Sequence, residues 1–338
     1  IYAKWTPVVY TITYDGVEDA VNNNPASYTV ESDDITLTAP ERAGYTFTGW
    51  TYEGQSEPVM EVVIAKGSTG DKAYTANWLK NTTDCTVTLE KTKYAYSGSA
   101  ITPAVTVKDG DTLLTEGTDY TVTYAEGRTK TGKYQVTVTF TGGYVQDSKS
   151  VSFTIVPKAP ATMSTALYGY NDVKISWSKV TGASGYYVYY KKATSKNYTL
   201  LKRTTGTSVK KANLADGVKY NFKVVPYVKA GTARYKSSSY KATSITTLKK
   251  VSLSSVGKSG TKVKVSWKNI AGETGYQISR STSRTGTNIV ATYKTTTGKS
   301  KLVSATKGKT YYYKVRAYKT VNGKKIYGPW SAVKSYKR

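Results

Sequence analysis

The chain has 338 residues, 38% of them hydrophobic, enough for two to four domains of roughly 100–150 residues and too many for wholesale disorder. It has no His and a single Cys, which excludes His-dependent nucleophilic triads and internal disulfides. Its formal net charge is +27, and no apolar run exceeds about five residues (Val224–Val228), far short of the ~20 that a membrane helix needs.

The residue bias points to strands. Thr occurs 53 times and Leu 12 times, and 32 Tyr stand against 4 Phe. Thr and Tyr suit a half-buried pleated surface, whereas so little Leu leaves helices without an apolar stripe. The charge is uneven. Residues 1–80 carry 5 basic and 11 acidic residues, 81–157 carry 7 and 8, and 158–338 carry 37 and 3, the acids being Asp172, Asp216 and Glu273. The composition predicts a mostly β fold.

In residues 9–80 the order is Tyr10–Tyr14, Ile35–Leu37, Gly44-Tyr45-Thr46-Phe47-Thr48-Gly49-Trp50, then Tyr74-Thr75-Ala76-Asn77-Trp78. This order resembles the Listeria–Bacteroides repeat, the B-repeat of internalin-type surface proteins, and the resemblance implies the β-grasp-like module. Pro40 first and Gly44 last predict one helical turn over Pro40–Ala43. Ala3-Lys4-Trp5 echoes Ala76-Asn77-Trp78 at a distance of 73 residues, so residues 1–8 are expected to be the tail of a preceding copy, Ile1–Trp5 its last strand, and the chain a piece of a longer one.

Residues 81–157 alternate with period two: Tyr120, Val122 and Tyr124 oppose Thr121 and Thr123, and Tyr134, Val136, Val138 and Phe140 oppose Gln135, Thr137 and Thr139. Lys108-Asp109-Gly110-Asp111 is a hairpin signal. Tyr96-Ser97-Gly98, Gly117–Val122 and Phe153-Thr154-Ile155 are similar to bacterial Ig-like repeats.

Pro157-Lys158-Ala159-Pro160 marks a stiff linker at the charge step. Beyond it two segments repeat at a period of about 90: Val173–Trp177 matches Val263–Trp267, Gly182–Tyr186 matches Gly272–Tyr276, and Gly217, Tyr220, Val224 and Tyr227 match Gly308, Tyr311, Val315 and Tyr318. The Trp on an early strand and the Gly-x-x-Tyr-x-Phe/Tyr-x-Val motif resemble fibronectin type III domains over 158–248 and 249–338. The resemblance implies that Tyr220 and Tyr311 are corner tyrosines whose hydroxyls tie a loop to a strand. No Arg-Gly-Asp occurs, so integrin binding is not implied.

Catalytic groupings are sparse. Glu31/Asp33/Asp34 and Glu53/Glu57/Glu61 read as solvated loop charge, Asp109-Gly110-Asp111 lacks calcium-loop spacing, Cys85 reads as a small buried residue, and Gly142-Gly143 lacks a strand–loop–helix context. No enzyme, metal or cofactor is expected. With Tyr186, Val188 and Tyr190 inward, Tyr187, Tyr189 and Lys191 face out, joined by Lys219 and Lys223 on the neighbouring strand; Tyr312, Lys314 and Arg316 hold the matching positions in the last domain. Rings beside cations suit acidic polymers.

The resemblances carried by motifs along the chain imply a small β-grasp-like module followed by three β-sandwich (Ig-like and fibronectin type III) domains in an extended string. The expected role is a non-catalytic structural and adhesive region of a secreted or cell-surface bacterial protein, placed in a Gram-positive wall, with the basic pair on anionic cell-wall polymer. The alternatives are a module for acidic host glycans and a spacer of a larger secreted enzyme. No membrane span, no nucleic acid and a monomer are expected.

Overall fold

The computed structural model describes residues 4–296 and 298–338. It is all β, without a helix among the described residues, and it falls into two compact units. One comprises the residues up to Tyr94 with Ala100–Arg128 and Lys133–Thr154; the other comprises Ala95–Ser99, Thr129–Gly132 and Ile155–Arg338.

The first unit opens with β1 (Tyr10–Asp15), β2 (Ser27–Tyr28), β3 (Ile35–Thr36), β4 (Tyr45–Tyr52), β5 (Gln55–Val59), β6 (Val63–Ile64) and β7 (Lys72–Lys80). Five of these make a mixed sheet in the order β2-β1-β7-β4-β5, with first and last strands parallel as in a β-grasp sheet; β3 and β6 pair separately. The core is aromatic. Trp50 is fully buried, with Phe47, Tyr14 and Tyr74 rings 5.2, 5.5 and 6.3 Å from it. Each such ring removes ~150–250 Å² from water, about 4–6 kcal/mol at ~25 cal per Å². Trp78 packs on Phe47, and its Nε1 donates to Gly16 O at 2.8 Å.

The helical turn expected over Pro40–Ala43 does not form. Glu41 exchanges two backbone hydrogen bonds with Val21, which hold it extended, and the chain reverses afterwards through Tyr45 N donating to Arg42 O at 3.2 Å. Gly44 takes φ 79° in that turn, a conformation open to glycine. The strand expected over Ile1–Trp5 begins outside the described residues; Lys4–Val9 form no strand, and Trp5 is exposed.

Next come β8 (Cys85–Leu89), β9 (Lys93–Ala95), β10 (Val105–Asp109), β11 (Thr112–Leu113), β12 (Tyr120–Tyr124), β13 (Gly132–Phe140) and β14 (Ser148–Val156). They form two sheets, β11-β10-β8 and β12-β13-β14-β9. Val107, Tyr120, Val138 and Phe140 are buried in the core, in line with the alternation of their strands. The expected hairpin joins β10 to β11 with Asp109 opposite Thr112.

The second unit contains two sandwiches with the same strand plan. The first has β15 (Met163–Leu167), β16 (Val173–Trp177), β17 (Gly185–Lys192), β18 (Thr199–Thr204), β19 (Ser208–Lys211), β20 (Lys219–Ala230), β21 (Ala233–Lys236) and β22 (Lys241–Thr246). The second has β23 (Leu253–Ser259), β24 (Lys262–Trp267), β25 (Gly275–Ser281), β26 (Ile289–Thr295), β27 (Ser300–Val303), β28 (Thr310–Val321), β29 (Lys324–Tyr327) and β30 (Lys334–Lys337). A three-stranded sheet (β15-β16-β19; β23-β24-β27) faces a larger one built on β17 and β20, or on β25 and β28. This strand order is that of a fibronectin type III-like sandwich.

Residues repeated in the sequence hold the frame. Trp177 and Trp267 lie in the two cores against Tyr186 and Tyr276, at 5.3 and 5.1 Å. The Tyr220 hydroxyl accepts from Ala215 N at 3.1 Å, and Tyr311 donates to Thr306 Oγ1 at 3.0 Å, each five residues upstream as a corner tyrosine does. A second tie repeats as well: Tyr186 and Tyr276 accept from Val180 N and Ile270 N at 2.9 and 3.0 Å. Burial pushes the Tyr276 phenol up to about 12. Gly185 and Gly275 stand opposite Tyr227 and Tyr318, whose rings lie where a Cβ would sit, so the Gly-Tyr pair recurs in both copies. Between the sandwiches, Leu248 is buried in the first core and Val251 in the second, and Ile326 packs against the first core.

Candidate functional site

In the first sandwich, strand parity puts Tyr187, Tyr189 and Lys191 of β17 on the outer face beside Val225, Lys223 and Asn221 of β20. Tyr186, Val188, Phe222 and Val224 fill the core from the other face, which fixes the register. Tyr187 and Tyr189 stack at 6.3 Å with 24° between their planes. Lys223 Nζ lies 5.2, 4.4 and 5.0 Å from the Tyr189, Tyr198 and Tyr240 ring centres. Lys236 Nζ lies 4.6 Å from Tyr187 and donates to the Tyr189 hydroxyl at 3.1 Å. Each such contact is worth about 0.5–1 kcal/mol at an exposed site. Together they hold rings and ammonium groups in one layer, with Tyr240 still 54% exposed at its rim.

The second sandwich uses a different set. Arg316 of β28 has its guanidinium carbon 4.0 Å from the Tyr327 centre and 4.3 Å from Trp330, and its Nε donates to Gln277 Oε1 at 2.8 Å. Burial lowers its pKa. Lys314 Nζ lies 5.0 Å from the Trp330 ring, and Lys325 Nζ lies 5.5 Å from Tyr318, which packs on Tyr327 at 5.8 Å. Ser331 anchors the neighbouring Trp330: its N donates to Val315 O at 2.8 Å, and its Oγ accepts from Val315 N at 2.9 Å.

The eight residues singled out from the sequence thus separate. Tyr187, Tyr189 and Lys223 come together, and so do Lys314 and Arg316. Lys191 lies 5.0 Å from the Tyr198 ring but is tied into its own loop, donating to Ser195 O at 2.8 Å. Lys219 stands at the start of β20 opposite Thr246, four residues and ~13 Å of strand from Lys223. Tyr312 is half-buried between Ser281 and Ser335 and makes no ring contact among the described residues. Tyr198, Lys236, Tyr240, Tyr327 and Trp330 belong to the two layers and were not anticipated. The repeat held a clue to the last two, since Tyr327-Gly328-Pro329-Trp330 stands where the first copy has Lys236-Ser237-Ser238-Ser239.

The three acids of the basic half accept from neutral or weakly placed donors: Asp172 from Asn213 N at 2.9 Å, Asp216 from Asn171 Nδ2 at 3.5 Å and Glu273 from the Tyr276 hydroxyl at 3.2 Å. Among the described residues the ion pairs are Arg42–Asp19, Lys66–Asp33, Lys80–Asp109 and Lys91–Glu90, all in the first unit.

Elsewhere, Asp33 pairs with Lys66 at 3.0 Å and Asp34 accepts from Lys66 N at 2.7 Å, so these carboxylates brace a loop. Cys85 is buried, and burial pushes its thiol up, away from nucleophilic use. Asp109 is more than a turn residue. It is buried, pairs with Lys80 and accepts from the Tyr144 hydroxyl at 3.0 Å; the Lys80 hydrogen bond holds its carboxyl below the usual range. Among the described residues no group of three or more His, Cys, Asp or Glu side chains is placed to hold a metal.

No family model matches the chain, and no curated protein matches it. Among solved structures, the FN1–FN3 domains of chicken CNTN1 are similar over 74% of this chain and 97% of their own, at 14% identity and a TM-score of 0.31. At that score the sandwich assignment rests on strand order rather than on the likeness.

Proposed function

We propose that the chain is a non-catalytic structural and adhesive region of a secreted or cell-surface bacterial protein, whose two basic sandwiches hold an anionic polymer of a Gram-positive wall. The reading takes residues 9–80 as a B-repeat-like module, 81–157 as an Ig-like domain, and 158–248 and 249–338 as the holding pair. One observation carries it: 37 basic residues stand against three acids in residues 158–338, and those acids face neutral partners. So large an excess of one sign lowers stability by self-repulsion unless an anion offsets it. Each polymer phosphate neutralised by a lysine releases a counterion, as on nucleic acids, so binding falls steeply with salt.

The test is retention of the full chain on purified Gram-positive walls. Retention is expected to drop by at least about tenfold between ~0.05 and ~0.2 M salt and to vanish when wall phosphate polymers are stripped. Retention indifferent to both treatments refutes the proposal.

The stacked Tyr187–Tyr189 pair favours a second reading, an acidic glycan laid on the first sandwich. Joint replacement of Tyr187, Tyr189, Lys191 and Lys223 by Ala then abolishes glycan binding and leaves wall retention largely intact. Glycan binding equal to the parent's rejects that face.

A further inference from the structure

The Arg316 guanidinium is held by two rings and a side-chain hydrogen bond. Its flat surface packs on Tyr327 and Trp330, and its Nε is committed to Gln277. Its two Nη groups have no hydrogen-bond partner among the described residues, although Arg316 itself is only half-buried. The parts around it are fixed in turn. Gln277 is buried and paired with Arg316 across the ladder, Tyr327 lies on β29 opposite Tyr318, and Trp330 is positioned by the reciprocal Ser331–Val315 bonds. Lys314 Nζ shares the Trp330 ring, which brings a second cation to the same patch.

A guanidinium held in this way has already lost the side-chain freedom that binding otherwise removes, and it offers a planar pair of donors. A tetrahedral oxyanion matches that fork through two parallel N–H···O bonds, while a compact ammonium reproduces the charge without the geometry. From this we infer that Arg316, with Lys314 beside it, is a specific seat for a phosphate or sulfate ester on the last sandwich. The inference rests on the proposed reading in that such esters recur along an anionic polymer. It adds a point of recognition to the diffuse positive field.

The experiment uses the full chain labelled with 15N-arginine, whose eight arginines give separable side-chain signals. The Arg316 signal is assigned by its loss in Arg316→Lys. Sodium phosphate and sodium sulfate, each added against chloride at fixed ionic strength, are expected to move the Arg316 signal saturably and more than the other seven. Arg316→Lys keeps the net charge and the fold, checked by thermal unfolding. It is expected to bind inorganic polyphosphate or heparin about tenfold more weakly at one salt concentration. The polymer showing the larger loss distinguishes phosphate from sulfate ester. Gln277→Leu, which keeps Arg316 but frees its Nε, gives a smaller loss of the same kind. An Arg316 response no larger than that of the other arginines, or an Arg316→Lys variant equal to the parent on both polymers, overturns the seat. If the parent binds neither polymer at low salt, the wall-holding proposal fails, and the ion titration still judges the seat by itself.

Discussion

The two basic sandwiches share a frame and differ on the face they turn outward. In the first, the rings belong to β17 (Tyr187, Tyr189) and the cations to β20 and β21 (Lys223, Lys236). In the second, β28 again supplies cations (Lys314, matching Lys223, and Arg316), but the rings move: Tyr327 and Trp330 come from β29 and the turn after it. At one matched position the first copy has Val225 and the second Arg316; at another, Lys236 is replaced by Tyr327. Inward positions are bound by volume and register and changed little. Outward positions kept a kind of contact, ring against cation, and a cation on the same strand, without keeping which strand supplies the ring.

The frame half of this comparison breaks most visibly at the core tryptophans. Trp177→Ala and Trp267→Ala are each expected to destabilise their own sandwich by about 3–5 kcal/mol, read from urea unfolding of the full chain. Markedly unequal losses would show that the two frames are not equivalent. The paired glycines sharpen the picture. A methyl at Gly185 meets the Tyr227 ring, while one at Gly275 meets both the Tyr318 ring and the backbone carbonyl of Thr295. Both Ala variants should lose about 1–3 kcal/mol, Gly275→Ala the more, because a carbonyl in a strand ladder yields less than a ring.

A similar contrast separates the first unit from the basic half. The Asp109 carboxyl is depressed by its Lys80 partner, so its contribution is present above the ordinary carboxylate pKa of ~3.9 and is lost as pH falls through the lower folded value. The raised Lys80 ammonium contributes below ~10.4 and loses its share as pH climbs past its folded value. Acid titration followed by tryptophan fluorescence should show a step below about pH 4 that Asp109→Asn removes, at about 1–2 kcal/mol of stability near neutrality. A step unchanged in the variant would assign it to other carboxylates. The smallest effect concerns the corner tyrosines. Tyr220→Phe leaves the Ala215 amide unpaired and should lose about 1 kcal/mol, whereas Tyr311→Phe frees a rotatable Thr306 hydroxyl and should lose less. Equal thermal shifts would contradict that ranking.

What was legible in the sequence is what period and repeat encode. Val173, Ile175 and Trp177 declare an inward face by alternation, and their recurrence ninety residues on declares a second copy. The outward direction of Tyr187, Tyr189 and Lys223 follows from the same parity. Their partners do not. Tyr198 and Tyr240 flank strands as loop residues, and only the folding of those loops onto the sheet brings them to Lys223. Asp109 looked like a solvated turn residue because the lysine that claims it is 29 residues upstream, at the end of another sheet. Pro40 and Gly44 carry a local helix signal, but Glu41 finds better bonding with Val21, a pairing that no window of four residues contains.

The short crossing at Leu248–Val251 has a practical meaning. Lys249-Lys250 is an exposed dibasic pair and, by composition, an inviting cut for a trypsin-like protease. Cleavage requires several residues to be drawn out into the enzyme's groove, and here either side is moored within one residue of the bond's neighbours, Leu248 in one core and Val251 in the next. Digestion at that point must wait for one sandwich to open, so cleavage of this bond follows the opening of a β-sandwich and not the exposure of its two lysines.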